Sequence, residues 1–411
     1  MASIVIIGGG FAGVWAAASA ARLRRGTKGA DYDITLVSMT DDMVIRPRLY
    51  EAKPHEMKVA LADVLDPIDV RRVRAKVNDI DTSGRTITAT DEHGHTVELD
   101  YDRLVVASGS QVVKPTLDGA EHLFDIDTIE AATQLDEHLA GLAQRDDDGG
   151  RHTIVVVGAG FTGLEIATEI GARVSDIAPD APVRVVLVER ESDIGPELGP
   201  GPRPVIAESL ASLDIEVLTG VSLEALTASS ARLSDGTEID THTVIWTAGM
   251  LASPLTELIG ADRDELGRLS VDEFLRVNGV DGVFAGGDTA AAPVEDGHTV
   301  MQSCQHAVPA GKFVGHNVAA DLLGEPLVAF APTPYVTCLD LGPTGAVATS
   351  GFDREVTMTG SLCKDLKQTI NAKWIYPPTG DADALLELAG PRADWPEWTP
   401  PEEGAVEFAT S

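Results

Sequence analysis

Ser3-Ile4-Val5-Ile6-Ile7-Gly8-Gly9-Gly10-Phe11-Ala12-Gly13 decides how the rest of this chain folds. The apolar run 3–7 suits one fully buried strand, and the Ala-rich residues 14–25 beyond the glycines suit a helix. Glycines 8, 10 and 13 give Gly-x-Gly-x-x-Gly. In that pattern Gly8 allows the tight strand-to-helix turn, Gly10 lets the backbone approach a pyrophosphate, and Gly13 lets helix and strand pack closely. The amides at the helix start are left to bind an anion.

The pattern returns about 150 residues later. Thr153-Ile154-Val155-Val156-Val157 runs into Gly158-Ala159-Gly160-Phe161-Thr162-Gly163 and a helical stretch over 164–172. Two glycine fingerprints, each behind an apolar strand, predict two dinucleotide folds in one polypeptide.

With 411 residues, 44% hydrophobic and 5% aromatic, the chain suits an Ala/Val/Gly-rich α/β protein of two or three domains. No apolar run reaches the ~18–20 residues of a membrane span. The N-terminus lacks a basic region ahead of its short apolar run, so a cytoplasmic protein is expected. A formal net charge of −34 argues against nucleic acid and anionic lipid as partners. Cys304, Cys338 and Cys363 lie far apart in sequence with no Cys-x-x-Cys, so no disulfide framework is expected, and no metal site is expected either.

Residues 33–37 read as the second strand of the first unit. Dinucleotide folds place a ribose-binding acid at its end, but this chain has Ser38, with Asp41 and Asp42 nearby. Residues 76–80, 85–90 and 96–99 alternate as a β-meander, with a turn at 91–94. Residues 101–110 return a buried strand that turns on Gly109. A helix is expected over 127–142 and a polar linker over 146–150. In the second unit the strand 183–188 ends at Glu189, an acid that suits the paired ribose hydroxyls of NAD and repels the 2′-phosphate of NADP. Arg190 follows and softens that preference. Short β patterns fill 216–239, and the strand 243–246 stops at Thr247-Ala248-Gly249. Residues 282–288 read as a strand ending at Gly286-Gly287-Asp288, followed by a helix over 302–323 that stops at Gly324. Residues 327–351 look β-rich, 363–372 suit a short helix, and the acidic, Pro-rich tail from Gly380, with Trp395 and Trp398 as anchors, is expected to drape over a surface or be partly disordered.

With these pieces placed, the chain resembles the two-dinucleotide-fold flavoprotein reductases, most closely the type II NADH:quinone oxidoreductases, with apoptosis-inducing-factor-like reductases as near relatives. The matching stretches are IVIIGGGFAG, PRLYE at 47–51, YDRLVVASGS, IVVVGAGFTGLEIATEI, VIWTAGM, VFAGGDTA and the helix carrying Gln305. The resemblance implies an α/β fold of two Rossmann-like domains and a small C-terminal α+β domain: residues 1–114 with 268–325 for FAD, 115–267 for NAD(P)H, and 326–411 at the C-terminus.

It further implies FAD on Gly8, Gly10, Phe11, Ala12 and Gly13, with Ser38 at its ribose and Val77 near its adenine. Ala107, Ser108 and Gly109 would line that site, and Gly287 and Asp288 would bind its ribitol or pyrophosphate. Arg46 and Pro47 would flank the isoalloxazine. NADH, rather than NADPH, would sit on Gly158, Gly160, Phe161, Thr162 and Gly163, with Glu189 on its ribose and Ala248 and Gly249 under its nicotinamide. Glu165 occupies the place of a family acid close to nicotinamide and flavin. Gln305, His306 and Ala307 fall on the family's quinone-site helix, whose Ala-Gln-x-Ala-x-Gln here reads Cys304-Gln305-His306-Ala307-Val308-Pro309. His306 is a relay candidate because its ordinary pKa lies near ~6.5.

Catalysis then requires nicotinamide and flavin to be held at a near-attack distance of about 3–3.5 Å. Disulfide and peroxide reductases need cysteines that residues 38–60 lack, and sulfide:quinone reductases need flavin-flanking cysteines for which only Cys304 and Cys338 are candidates. The acceptor is expected to be a quinone or quinone-like small molecule. The alternatives are a reductase feeding an electron-carrier protein or a biosynthetic oxygenase, and an NADH-sensing flavoprotein whose oligomerisation follows its redox state. The tail lacks the amphipathic helices by which membrane-bound members lie on the bilayer, so a soluble reductase is expected. The oligomeric state stays open, a homodimer among the options.

Overall fold

Both fingerprints follow the central strands of parallel sheets in a computed structural model that describes residues 1–144, 149–179, 181–294 and 297–400. β1 (Ala2–Ile7) lies between β2 (Tyr32–Ser38) and Arg103–Val106, parallel to both, with Ile4 opposite Ile34 and Arg103. Val283–Ala285 adds the outer parallel strand on one side. Arg71–Asp81 extends the other side, and Thr86–Asp91 and Thr96–Asp100 follow as an antiparallel meander. The inner strands are buried on both faces, which is why they read as unbroken apolar runs. The chain therefore leaves this sheet after Val106 and comes back for one strand nearly 180 residues later.

In between it builds a second parallel sheet in the order Leu123–Phe124, Thr243–Trp246, Thr153–Val157, Arg184–Glu189, Glu216–Thr219. The expected linker residues 146–148 lie outside the described residues. An antiparallel ribbon of Ser110–Val112 with Met250–Ala252 ties the two units together.

α1 (Phe11–Gly26) is buried along its whole first half because it is covered twice, by the sheet and by the Cys304–Leu323 helix. Small residues let the two helices touch. A Cβ on Gly311 would lie 2.5 Å from the Ala12 carbonyl oxygen, and one on Gly315 would lie 2.1 Å from that of Ala16. Ser19 adds a buried hydrogen bond to the Lys312 carbonyl at 2.6 Å.

The C-terminal part begins later than its β-rich composition suggested. Pro332 and Pro334 cannot donate to a ladder, and regular strands start only at Val336–Asp340, followed by Ala346–Ser350 and Glu355–Thr359. The helix expected over 363–372 starts earlier, as Gly360–Thr369, and continues as a wider turn over Ile370–Trp374. The described part of the tail packs against the protein, as one of the two expectations had it. Asp381 caps a helix at Ala382–Leu388 by accepting from the Ala384 amide at 3.0 Å, and Asp383 pairs with Arg25 of α1 at 2.7 Å. Trp395 packs against the core, half-buried, while residues 401–411 lie outside the described residues.

Gly315→Val is expected to force α1 and its covering helix apart, costing about 1–3 kcal/mol as overpacking does. A thermal midpoint equal to wild type would show that the two helices do not depend on this contact.

Candidate functional site

The first cradle is made by compression. Gly8 has φ +118°, and a Cβ there would sit 2.1 Å from the Ala107 carbonyl oxygen; one on Gly13 would sit 1.9 Å from that of Gly8. Only glycine allows strand, turn and helix to approach so closely. A Cβ on Gly10, by contrast, would meet no described atom within 4 Å, so space lies over the opening amides of α1. Phe11 and Ala12 are buried beneath it. Across the cradle, Ser108 keeps a buried hydroxyl with no partner among the described residues, and Gly109 turns the chain at φ +72°. Gly287, at φ +69°, brings the 287–289 turn against Ala12.

Asp288 in that turn accepts from the Ser110 hydroxyl at 2.6 Å and lies 3.9 Å from Arg46. Desolvation raises its pKa, against the lowering effect of Ser110 and the arginines. Arg46 also donates to Ser110 and pairs with Asp127, which fixes the loop carrying Pro47 over the cradle. Open amides, an orphan hydroxyl and a desolvated carboxylate fit a flavin dinucleotide with its pyrophosphate at Gly10.

Ser38 is pressed over the fingerprint, its hydroxyl 2.6 Å from where a Gly9 Cβ would be. Asp41 and Asp42 do not replace the missing acid, because they are held by Arg74 at 2.8 Å and Lys58 at 2.7 Å. Val77 is buried opposite Ala89 beyond the end of β2.

The second cradle repeats the first. Gly158 has φ +105°, and a Cβ on Gly163 would lie 1.7 Å from the Gly158 carbonyl oxygen, while Gly160 is open. Phe161 and Thr162 start the helix Phe161–Ile177, both half-buried. Glu189 is buried beside them and accepts from the Ala159 amide at 2.7 Å and the Glu191 amide at 2.9 Å. Arg190 is turned outward onto Glu191 at 3.1 Å. Ala248 packs against Gly158, and Gly249, at φ +76°, accepts from the Val113 amide at 2.7 Å.

The structure separates the residues proposed on the Cys304–Leu323 helix. Ala307 packs on Gly287, inside the first cradle. Gln305 turns away, its amide donating to the Val336 carbonyl and accepting from the Val336 amide at 3.1 Å. His306 is buried, accepts the Met301 amide on Nδ1 at 2.9 Å and stacks on Tyr335. Desolvation lowers its pKa to about 4, so the ring is neutral at pH 7. The thiol of half-buried Cys304 is pushed up to about 11 by desolvation.

Glu165 is buried and not on the helix surface. It pairs with buried Lys367 at 2.7 Å and accepts the Asp340 amide at 3.1 Å. Desolvation holds Glu165 above its usual range, partly offset by Lys367. Burial opposes the Lys367 charge too, but Glu165 keeps that ammonium protonated. Around this pair, Lys364 bridges Glu169 and Asp340, and the Tyr50 hydroxyl donates to Asp340 at 2.9 Å. Lys367, Lys364, Asp340 and Tyr50 were not singled out from the sequence. The available signal was two acids four apart at 165 and 169 and two lysines three apart at 364 and 367, each set on one helix face.

The pyridine nucleotide-disulphide oxidoreductase family model matches residues 2–311. An NADH dehydrogenase-like protein of Mycobacterium tuberculosis (strain ATCC 25618 / H37Rv) is 44% identical over 399 residues, covering 95% of this chain and 99% of that protein. A demethylphylloquinone reductase of Synechocystis is 28% identical over 92% of this chain and 96% of its own. Among solved structures, NDH2 from Plasmodium falciparum in complex with NADH superposes with TM-score 0.74 over 90% of this chain and 94% of its own, at 14% identity, which shows a shared fold. Among the described residues no helix is long and apolar enough to cross a membrane.

Lys367→Met should strand the buried Glu165 carboxylate and cost about 3–5 kcal/mol. Glu165→Gln combined with Lys367→Met should recover most of that in thermal midpoint, and a double variant as unstable as the single would disprove the pairing. His306 binds protons less readily folded than unfolded. Its stabilising share is complete above pH 6.5 and is lost as pH falls through about 4. His306→Asn should therefore flatten the fall in thermal midpoint between those pH values; an unchanged slope would place the titration elsewhere.

Proposed function

Because this chain belongs to the pyridine nucleotide-disulphide oxidoreductase family and is an FAD-dependent NAD(P)H dehydrogenase, we propose that it passes two electrons from NADH to a quinone or quinone-like small molecule. The observation that carries this is the buried Glu165–Lys367 pair, with Glu165 on the helix that opens the second cradle and Lys367 on the C-terminal helix packed over it.

Bound FAD would accept a hydride and hand on electrons. The rest is the protein's work. The opening amides of α1 hold the pyrophosphate, Asp288 receives ribitol hydroxyls, and Arg46 fixes the loop beside them. The Phe161–Ile177 helix holds the NADH pyrophosphate in the same manner. Glu189 is already oriented by two amides and keeps lone pairs for a ribose diol, while its charge repels a 2′-phosphate. Arg190, engaged by Glu191, does not offset it. These contacts favour NADH.

Reducing a quinone to a quinol consumes two protons as well as two electrons. Glu165 and Lys367 are ionisable, hydrogen-bonded and next to the second fingerprint, so they supply a proton reserve shielded from bulk water. His306, neutral and with Nδ1 taken by an amide, serves instead to pack Tyr335 against the helix start. The relatives support the acceptor class: the Synechocystis protein is named for reducing a demethylphylloquinone.

The purified protein should be yellow and should oxidise NADH with a soluble short-chain quinone. Its KM for NADH should be lower than for NADPH, and Glu189→Ala should raise the NADH value by about tenfold while changing the NADPH value less, as loss of one charge-assisted hydrogen bond implies. Turnover with a protein carrier but with no quinone would overturn the acceptor assignment, and equal responses to NADH and NADPH would overturn the role of Glu189.

A further inference from the structure

Cys338 lies on the first strand of the C-terminal sheet and Cys363 on the helix that packs across it. They are 25 residues apart in sequence, yet their sulfurs stand 3.8 Å from each other. Neither is among the cradle residues described above. Cys363 is fully buried in a small apolar cluster with Ala346 and Ala348, while Cys338 is half-buried. A polar oxidant therefore reaches Cys338 first and finds Cys363 behind it.

We propose that Cys338 and Cys363 form a redox-active dithiol, which hydrogen peroxide converts to an intramolecular disulfide that resets the Glu165–Lys367 pair. The Cys338 sulfur attacks the peroxide, the O–O bond breaks, and Cys338 becomes a sulfenic acid as one water leaves. The Cys363 sulfur then attacks the sulfenic sulfur, the S–O bond breaks, the S–S bond forms, and a second water leaves. Two thiols lose two electrons and two protons, and the peroxide takes up all four. An external dithiol reverses the reaction by exchange.

The surroundings favour this order of events. Either thiol can donate across the 3.8 Å contact; with Cys363 donating, the Cys338 thiolate is stabilised against its partial burial, and the Lys367 charge adds to that effect. The mechanical link is short. Lys367 sits one helical turn beyond Cys363 and donates to the Cys338 carbonyl at 3.0 Å, and Asp340, two residues along the strand from Cys338, gives its amide to Glu165. Drawing the sulfurs in to the ~2.0 Å of a disulfide pulls on the two elements that hold this pair. The bridge stands independently of the proposed function; its effect on NADH oxidation rests on it.

The test uses full-length, FAD-loaded protein freed of reductant and treated with a small molar excess of hydrogen peroxide. It is then denatured, alkylated with N-ethylmaleimide, digested and weighed. A Cys338–Cys363 cross-linked peptide is expected, with Cys304 alkylated as the internal control, and dithiothreitol should abolish the cross-link. The rate at which NADH bleaches the flavin without oxygen should change by about threefold or more on oxidation and return on reduction. Cys363→Ala, or Cys338→Ser if that variant does not fold, should keep its rate through the same treatment.

Three free thiols after peroxide, or sulfinic acid at Cys338 without a cross-link, overturns the dithiol. A cross-link with an unchanged bleaching rate overturns its connection to Glu165 and Lys367. Protein that holds no flavin defeats the proposed function instead, and the peptide readout still decides the dithiol.

Discussion

The carbonyl oxygen of the first glycine in each fingerprint stands where the side chain of the third would be. A Cβ would lie 1.9 Å away at Gly13 and 1.7 Å away at Gly163. That absence of a side chain lets each helix start directly against its strand, with its first amides aimed along the sheet's carboxyl edge. Move either helix outward by a methyl group and its first amides shift away from the open space over Gly10 or Gly160. Everything else in the two parallel sheets serves to keep that approach in register.

Close approach recurs where the first of the two units closes on itself. Gly311 and Gly315 seat one long helix on α1, and Gly287 lands its turn on Ala12. Asp288 thus reaches the cradle from far downstream in the chain, and a hydrogen bond from Ser110 settles it there. The alanines of α1 carry the same logic, because a helix covered on two sides has room for little more than a methyl group.

The C-terminal part contributes differently, through charge. Burying Glu165 and Lys367 costs desolvation on both sides, and their mutual hydrogen bond, the Asp340 amide and the Cys338 carbonyl offset it. The surrounding Lys364, Glu169, Tyr50 and Asp340 satisfy what remains and bind four separate segments of chain into one network. Such a network is a strong structural joint and also a place where small displacements alter proton affinity. The neighbouring thiols touch it through one carbonyl and one helical turn.

Local pattern determined much of this protein. Both strand–glycine–helix units, the meander after β2, the strand that returns to the first sheet at Val283–Ala285 and the helix ending at Gly324 were all legible, because each is written in short-range periodicity and in glycines whose φ no other residue tolerates well. The place of Glu189 at the end of its strand was legible for the same reason. Neighbours that the sequence does not show hold other residues: burial pushes the His306 imidazole down to about 4, Gln305 bonds to Val336, and residues 382–388 form a helix that Asp381 caps and Asp383 ties to Arg25. Lys367 beside Glu165 and Cys338 beside Cys363 left almost no local signature. Contacts between residues distant in the chain are set by how a helix rolls across a sheet, and only the packed tertiary structure decides that.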